Sequence, residues 1–396
     1  MFHRKLFYLL ILLLPVQLGK HFWPDWSMVF GIRVDYLAPT IYLTDVVAFL
    51  MFIFWFRENI SKLKKVRTIF PAVAFFLFLL LTSLFVAKNQ GAAIYKLIKL
   101  VEFFLLGLYV SKNKLSVKSY RLISLSVIYS SLIAIAQFLK QSTLGGVFWW
   151  LGERTFSISA PGITLFQIGG KQFLRPYATF PHPNVLAGFI LLSLALIAKR
   201  KTSKFNFLTL ITGAITLFLT FSKSVWLTAV VILGLTTLTK KQKMFNMGYK
   251  TILVLIFVFS LVTPFLPNKF VRVELAQSAL GMVKKSFLTG VGLNNFIVRL
   301  PEYSQEPEVA WFLQPVHNVF LLVASEAGVV ILFIFLWFLF LTFKKLKKVN
   351  ELNHKLKMAL LVILLTGVFD HYWLTLQQTQ LFSAIVFGMI WSKKWK

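Results

Sequence analysis

The chain has 396 residues, 58% of them hydrophobic and 16% aromatic but only 14% charged, with a mean hydropathy of +0.75. That balance excludes an ordinary soluble globule, and strands of alternating polarity, the mark of a membrane barrel, are not evident. The formal charge of +30 would suggest nucleic acid if it were clustered, and the lack of cysteine excludes disulfides and thiolate chemistry.

The fold class expected is an all-α polytopic membrane protein with about twelve transmembrane helices, each crossing requiring about 20 apolar residues. They are expected near 6–20, 42–57, 69–87, 92–110, 121–140, 183–198, 206–222, 224–239, 251–267, 316–343, 358–374 and 379–391. With the start of the chain inside, most of the 43 Lys and Arg fall in every second loop, whereas of the 13 acids only Glu58 and Glu351 do. This is the positive-inside pattern, so the charge is topological and no nucleic-acid partner is implied. Both termini are then cytoplasmic, and two long loops, 141–182 and 268–315, face outward. The first apolar stretch is read as a retained helix because no small-residue cleavage site follows it.

Taken in order, the segment after the first helix carries interfacial aromatics (Trp23, Trp26, Tyr36, Tyr42), with Arg33 and Asp35 expected to pair. The fourth helix places Lys96, Lys99 and Glu102 along one face, either as a structural pair or as the lining of a polar cavity. In the first long loop Pro176, Pro181 and Pro183 stiffen the chain, holding Arg175 at the outer mouth of the bundle and making Asn184 an expected helix N-cap. His182 reads as structural. Lys223 lies between two serines, and either snorkels to the interface or faces the same cavity as Arg175.

The second long loop opens with a helical pattern over 271–285, expected to lie along the outer leaflet, followed by a glycine turn, LTGVGLNNF. Loops of such length are unlike simple connectors of roughly 4–6 residues, and this one is read as a lid and part of the active site. His317 opens the next helix and shares a stripe with Gly328 eleven residues on. Its periodicity is compatible with a helix-start hydrogen bond or with catalysis. Glu326 falls on the opposite face and is read as a paired structural acid. At the end of the chain Asp370, His371, Tyr372, Gln377 and Gln378 form a set suited to binding sugar or to an interfacial belt. Nucleotide-binding and zinc motifs are absent, and Glu306 and Glu308 make a poor metal pair around Pro307.

The ordered set RPYATFPHPNVLAGF, FSKSVWLT, LTGVGLNNF, HNVFLLVASEAG and DHYWLTLQQTQ resembles the O-antigen ligase and O-antigen polymerase superfamily of bacterial membrane proteins. The resemblance covers most of the chain and is most specific over 206–340, the expected core of a single membrane domain spanning 1–396. It implies a fold like the all-helical membrane class of glycosyltransferases (glycosyltransferase-C-like), and an enzyme that transfers a glycan from a polyprenyl-diphosphate carrier to an acceptor glycan, lipid or protein outside the cytoplasmic membrane. It implies no cofactor and no metal. His317 would be the base toward the acceptor hydroxyl, Gly328 its companion in the motif, and Arg175 and Arg272 the diphosphate ligands. Lys223 stands where the family often has Arg, and would bind phosphate without the planar fork. Asp370, Tyr372 and Gln377 are the candidate acceptor or sugar residues. Polymerisation is slightly favoured over ligation, and a transporter or flippase of lipid-linked oligosaccharide is the alternative.

Overall fold

A computed structural model describes residues 2–63, 69–113, 115–197, 204–238, 256–259, 270–346 and 350–392. The helices are α1 Phe2–Leu12, α2 Leu43–Leu63, α3 Ile69–Phe85, α4 Gln90–Lys112, α5 Val117–Lys140, α6 Pro183–Ile197, α7 Lys204–Leu219 and α8 Lys223–Leu238. They are followed by α9 Phe270–Lys285, α10 Val319–Lys345, α11 Glu351–Phe369 and α12 Gln377–Ile390. The boundaries follow from caps. The Asn89 side chain accepts from the Ala92 N–H, and Asn318 accepts from those of Phe320 and Leu321, satisfying donors that a helix start leaves orphaned. The α5 helix ends in a left-handed Gln141.

Among the described residues three helices, Val117–Lys140, Val319–Lys345 and Glu351–Phe369, are long and apolar enough to cross a membrane; further apolar helices, such as Pro183–Ile197 and Lys204–Leu219, are shorter. The expected first span, 6–20, is displaced: α1 ends at Leu12, and the chain passes through a turn into a short strand at Gly19–His21. The expected span 251–267 lies almost wholly outside the described residues, as do basic clusters such as Lys199 to Lys201 and Lys240 to Lys243. Small antiparallel hairpins also decorate the helical frame. They pair β1 (Gly19–His21) with β4 (Thr40–Tyr42), β2 (Met28–Val29) with β3 (Ile32–Arg33), and β5 (Leu165–Ile168) with β6 (Lys171–Leu174).

In the packing, α1 lies against α2 and α5, α6 against α7, α8 and α11, and α4 against α12. The core they close contains fully buried Trp55, Tyr109, Phe180, Phe189, Phe320 and Phe382. The crossing of α4 and α12 is close because both helices present glycine there. A Cβ on Gly388 would stand 2.6 Å from the Gly107 carbonyl oxygen, so the backbones meet as small-residue crossings do.

The second long loop is built into this frame. The α9 helix buries Leu275, Ala276, Ala279 and Met282 and packs on α10, so the expected placement along a lipid leaflet gives way to a protein contact. Buried Glu274 accepts from the Gln305 N–H at 2.6 Å and the Ser304 hydroxyl at 3.1 Å, fastening the rest of the loop to α9. The α10 helix is broken at Gly328, whose φ of 80° and ψ of 171° are non-helical. The turn 287–290 fills that break, with the Val329 N–H donating to the Phe287 carbonyl. His317 precedes the helix, Asn318 being its cap, so His317 and Gly328 do not share a helical stripe as expected.

Candidate functional site

A cavity of about 880 Å³ opens where the two long loops, the β1–β4 hairpin and the turn between α11 and α12 converge. Its reactive feature is made by two helix ends. Asn318 caps α10 and also donates from Nδ2 to the Val368 carbonyl at 3.1 Å, locking the start of α10 to the end of α11. His317 and Asp370, each next to one of these anchors, are thereby brought together, with His317 Nδ1 3.5 Å from Asp370 Oδ1.

The carboxylate of Asp370 is held from several sides. Oδ1 accepts the His371 N–H at 2.9 Å, and Oδ2 accepts from Asn184 Nδ2 at 3.3 Å. Burial works against its charge, but the hydrogen bond and charge of His317, with His371 and His182 nearby, hold it well below the usual carboxylate range. His371 is buried, which pushes its imidazole down to about 3 against the raising effect of Asp370. Its Nδ1 pairs with the Thr375 hydroxyl at 2.7 Å, and its ring stands 5.1 Å from that of His317 and edge-on to Tyr36. His182 is likewise pushed down, to about 4, chiefly by burial. The ligand atoms of His317, Asp370 and His371 lie within 4.8 Å of one another, so these three side chains could hold a metal ion.

The expected residues divide. Arg272 lines the cavity with no hydrogen-bond or ion-pair partner among the described residues, leaving its guanidinium available to an anion. Arg175 is spent on the fold: Nε donates to the Thr220 carbonyl at 2.6 Å and Nη2 to Asn184 Oδ1 at 2.7 Å, outside the cavity lining. Burial lowers its guanidinium to about 10. The first long loop instead presents Arg154, exposed and lining the cavity, with one long bond to the Pro181 carbonyl at 3.4 Å. Lys223 is exposed at the start of α8, away from the lining. Tyr372 is buried with its hydroxyl against Gly188, where an added Cβ would sit 2.4 Å away. Gln377 faces the cavity floor and donates to Asp45.

Other expectations shift as well. Asn184 is not a cap, since its side chain bridges Arg175 and Asp370 while its own N–H donates to His182 Nδ1 at 3.1 Å. Arg33 lies over the Trp23 ring at 5.3 Å in place of pairing with Asp35. Lys99 does pair with Glu102, at 3.0 Å, and also with Asp45, at 2.7 Å, on the cavity floor. Glu326 is the structural acid expected: its oxygens accept the N–H groups of Asn294 at 3.0 Å and Phe296 at 3.2 Å, binding the glycine turn to α10. Sequence reasoning missed Arg154 and the gathering of His182 and His371 around Asp370. The local signal for the first was an arginine directly after Glu153, whose carboxylate is consumed by Gln137 and two backbone N–H groups.

Residues 208–336 match a family model described as O-antigen ligase, which bears out over that stretch the resemblance read from the motifs. The matched stretch contains Lys223, Arg272, His317 and Gly328, whereas Arg154, Arg175 and Asp370 lie outside it. A search of curated proteins returned no match.

Proposed function

We propose that this chain, of the O-antigen ligase superfamily through residues 208–336, transfers a glycan from a polyprenyl-diphosphate carrier to an acceptor hydroxyl at the outer face of the cytoplasmic membrane. The observation that carries the reading is the His317–Asp370 pair on a cavity that Arg272 also lines. With its proton on Nδ1, directed at Asp370, the His317 ring keeps the Nε2 lone pair to take the acceptor proton. Asp370 acts as the positioning residue that fixes the tautomer and stabilises the imidazolium. The acceptor oxygen bonds to the anomeric carbon, the bond from that carbon to the diphosphate oxygen breaks, and the lipid diphosphate leaves with its electron pair. Arg272 and Arg154 are suited to hold the diphosphate and stabilise the charge it gains, through the planar fork that matches phosphate oxygens. The acceptor would rest toward Gln377. No step calls for a metal.

The alternative of a transporter for lipid-linked oligosaccharide draws on Lys96 and buried Lys99, which line the cavity, and on Asp45 and Glu102, which pair with Lys99. Reconstitution separates the two. Proteoliposomes given a polyprenyl-diphosphate oligosaccharide and an acceptor glycan should release polyprenyl diphosphate and extend the acceptor. His317→Ala should slow this about 10²–10⁴-fold while still binding donor. Wild-type transfer rates in His317→Ala would discard the base assignment, and movement of intact donor across the bilayer without transfer would favour the transporter.

A further inference from the structure

We propose that His317, Asp370 and His371 form a binding site for a borderline divalent cation of the Zn²⁺ type, and that its occupation blocks the acid–base role of His317. The three side chains meet the geometric demand with small movements. Ligands about 2.0–2.1 Å from a tetrahedral zinc stand about 3.3 Å apart. His317 Nδ1 and Asp370 Oδ1 are already at 3.5 Å, His371 Nε2 is 4.0 Å from the same oxygen, and all three ligand atoms fall within 4.8 Å.

The surroundings are those of a metal centre more than of a simple hydrogen-bonded pair. The Thr375 hydroxyl donates to the His371 carbonyl at 3.2 Å and so is placed to accept from His371 Nδ1–H at 2.7 Å, which would leave the Nε2 lone pair facing Asp370, as partners of ligating histidines do. The far oxygen of Asp370 is held by Asn184, so the carboxylate presents Oδ1 inward. Two imidazoles and one carboxylate favour zinc over magnesium or calcium, which take oxygen ligands. All three residues line the open cavity, which gives an ion its entry path and leaves a fourth position for water.

Occupation would be inhibitory because of where the metal sits. A histidine ligating through Nδ1 carries its hydrogen on Nε2, and that nitrogen can no longer accept the acceptor's proton. The proton on Nδ1 that donates to Asp370 and the metal on Nδ1 exclude one another. The inhibitory half rests on the function proposed above; the binding half does not.

The test uses the purified, untagged full chain in nanodiscs, stripped with chelator, with zinc binding measured by competition against a chromogenic chelator and transfer measured in parallel. One zinc per chain is expected. His371→Ala should abolish that binding, and Thr375→Val, which keeps the ligand and removes its support, should weaken it about 10–100-fold. Magnesium should not compete. Transfer by wild type should fall as zinc saturates this site and return with chelator. No stoichiometric zinc, or unchanged affinity in both variants, would overturn the site. Activity that requires zinc would overturn the inhibitory role. Stoichiometric zinc lost in His371→Ala, in a chain that shows no transfer under any condition, would uphold the site and reject the transferase reading.

Discussion

At the scale of single residues, two arginines that look equivalent in sequence have different employment. Arg175 neutralises two acceptors inside the protein, the Thr220 carbonyl and Asn184 Oδ1, and Asn184 in turn holds Asp370. Removing it leaves these acceptors without their donor, at a cost of about 1–3 kcal/mol, so Arg175→Ala should lower the thermal unfolding midpoint in detergent. Arg272 has no such partner among the described residues, and Arg272→Ala should leave the midpoint nearly unchanged while weakening donor binding and slowing transfer. Equal loss of stability in both variants would refute the distinction. A pH effect follows from His182, which faces Asp370, Arg175, His317 and Arg272 and is pushed from its ordinary 6.5 down to about 4 mainly by burial. The unfolded chain therefore takes up a proton between these values while the folded chain does not. The His182 contribution to stability is full above about 6.5 and is lost as pH falls toward 4. The unfolding midpoint of wild type should fall across that window more steeply than that of His182→Gln, as scanning calorimetry would register.

At the scale of elements, the break in α10 is the feature that ties the second long loop to the site. Gly328 sits at φ 80°, and a Cβ there would stand 2.1 Å from the Leu288 carbonyl oxygen, which is backbone and cannot swing aside. Gly328→Ala therefore combines strain of order 1–3 kcal/mol with a steric overlap that must push the 287–290 turn away. It should reduce yield of folded protein and impair transfer even though it lies far along the helix from His317; wild-type stability would show that the turn is free to move. The same element shows what the amino-acid pattern conceals. Long apolar runs made most helices legible to within a few residues, because burial in lipid or core dictates composition directly. The break at Gly328 was not legible, since an isolated glycine in an apolar run reads as helix until its contact with Leu288 is known. The pairing of His317 with Asp370 was hidden for a related reason: it depends on Asn318 bonding Val368, a contact between two helix ends that no local spacing encodes. Arg154 was overshadowed because exposure and burial of neighbouring arginines are set by the path of the loop and not by their type.

At the scale of the whole molecule, the site lies at one end of three long helices and basic residues gather at the other, although α5 also carries Lys140 in its last turn. The α5 helix begins beside Lys118 and Arg121 and ends where the cavity-lining first loop starts, while α10 leaves the cavity at His317 and ends in Lys344 and Lys345. The α11 helix returns from Glu351 and Lys355 to Asp370 at the cavity. These are, among the described residues, the three helices fit to cross a membrane by length and composition, and they alternate in direction relative to the site. Because Lys and Arg resist translocation, the end that bears them is expected in the cytoplasm, which would put the cavity on the far side, where the proposed lipid-linked glycan would be met after crossing. The chain contains no cysteine, so a single introduced thiol reports its own position without a background. Ser159, exposed in the first loop, and Val117, 60% exposed at the opposite end of α5, are suitable probes. A membrane-impermeant maleimide added to intact spheroplasts should label Ser159→Cys at once and Val117→Cys only after permeabilisation. The reverse order would place the cavity in the cytoplasm and remove the topological basis for transfer at the outer face. Labelling of both without permeabilisation would mean that α5 does not cross the bilayer at all.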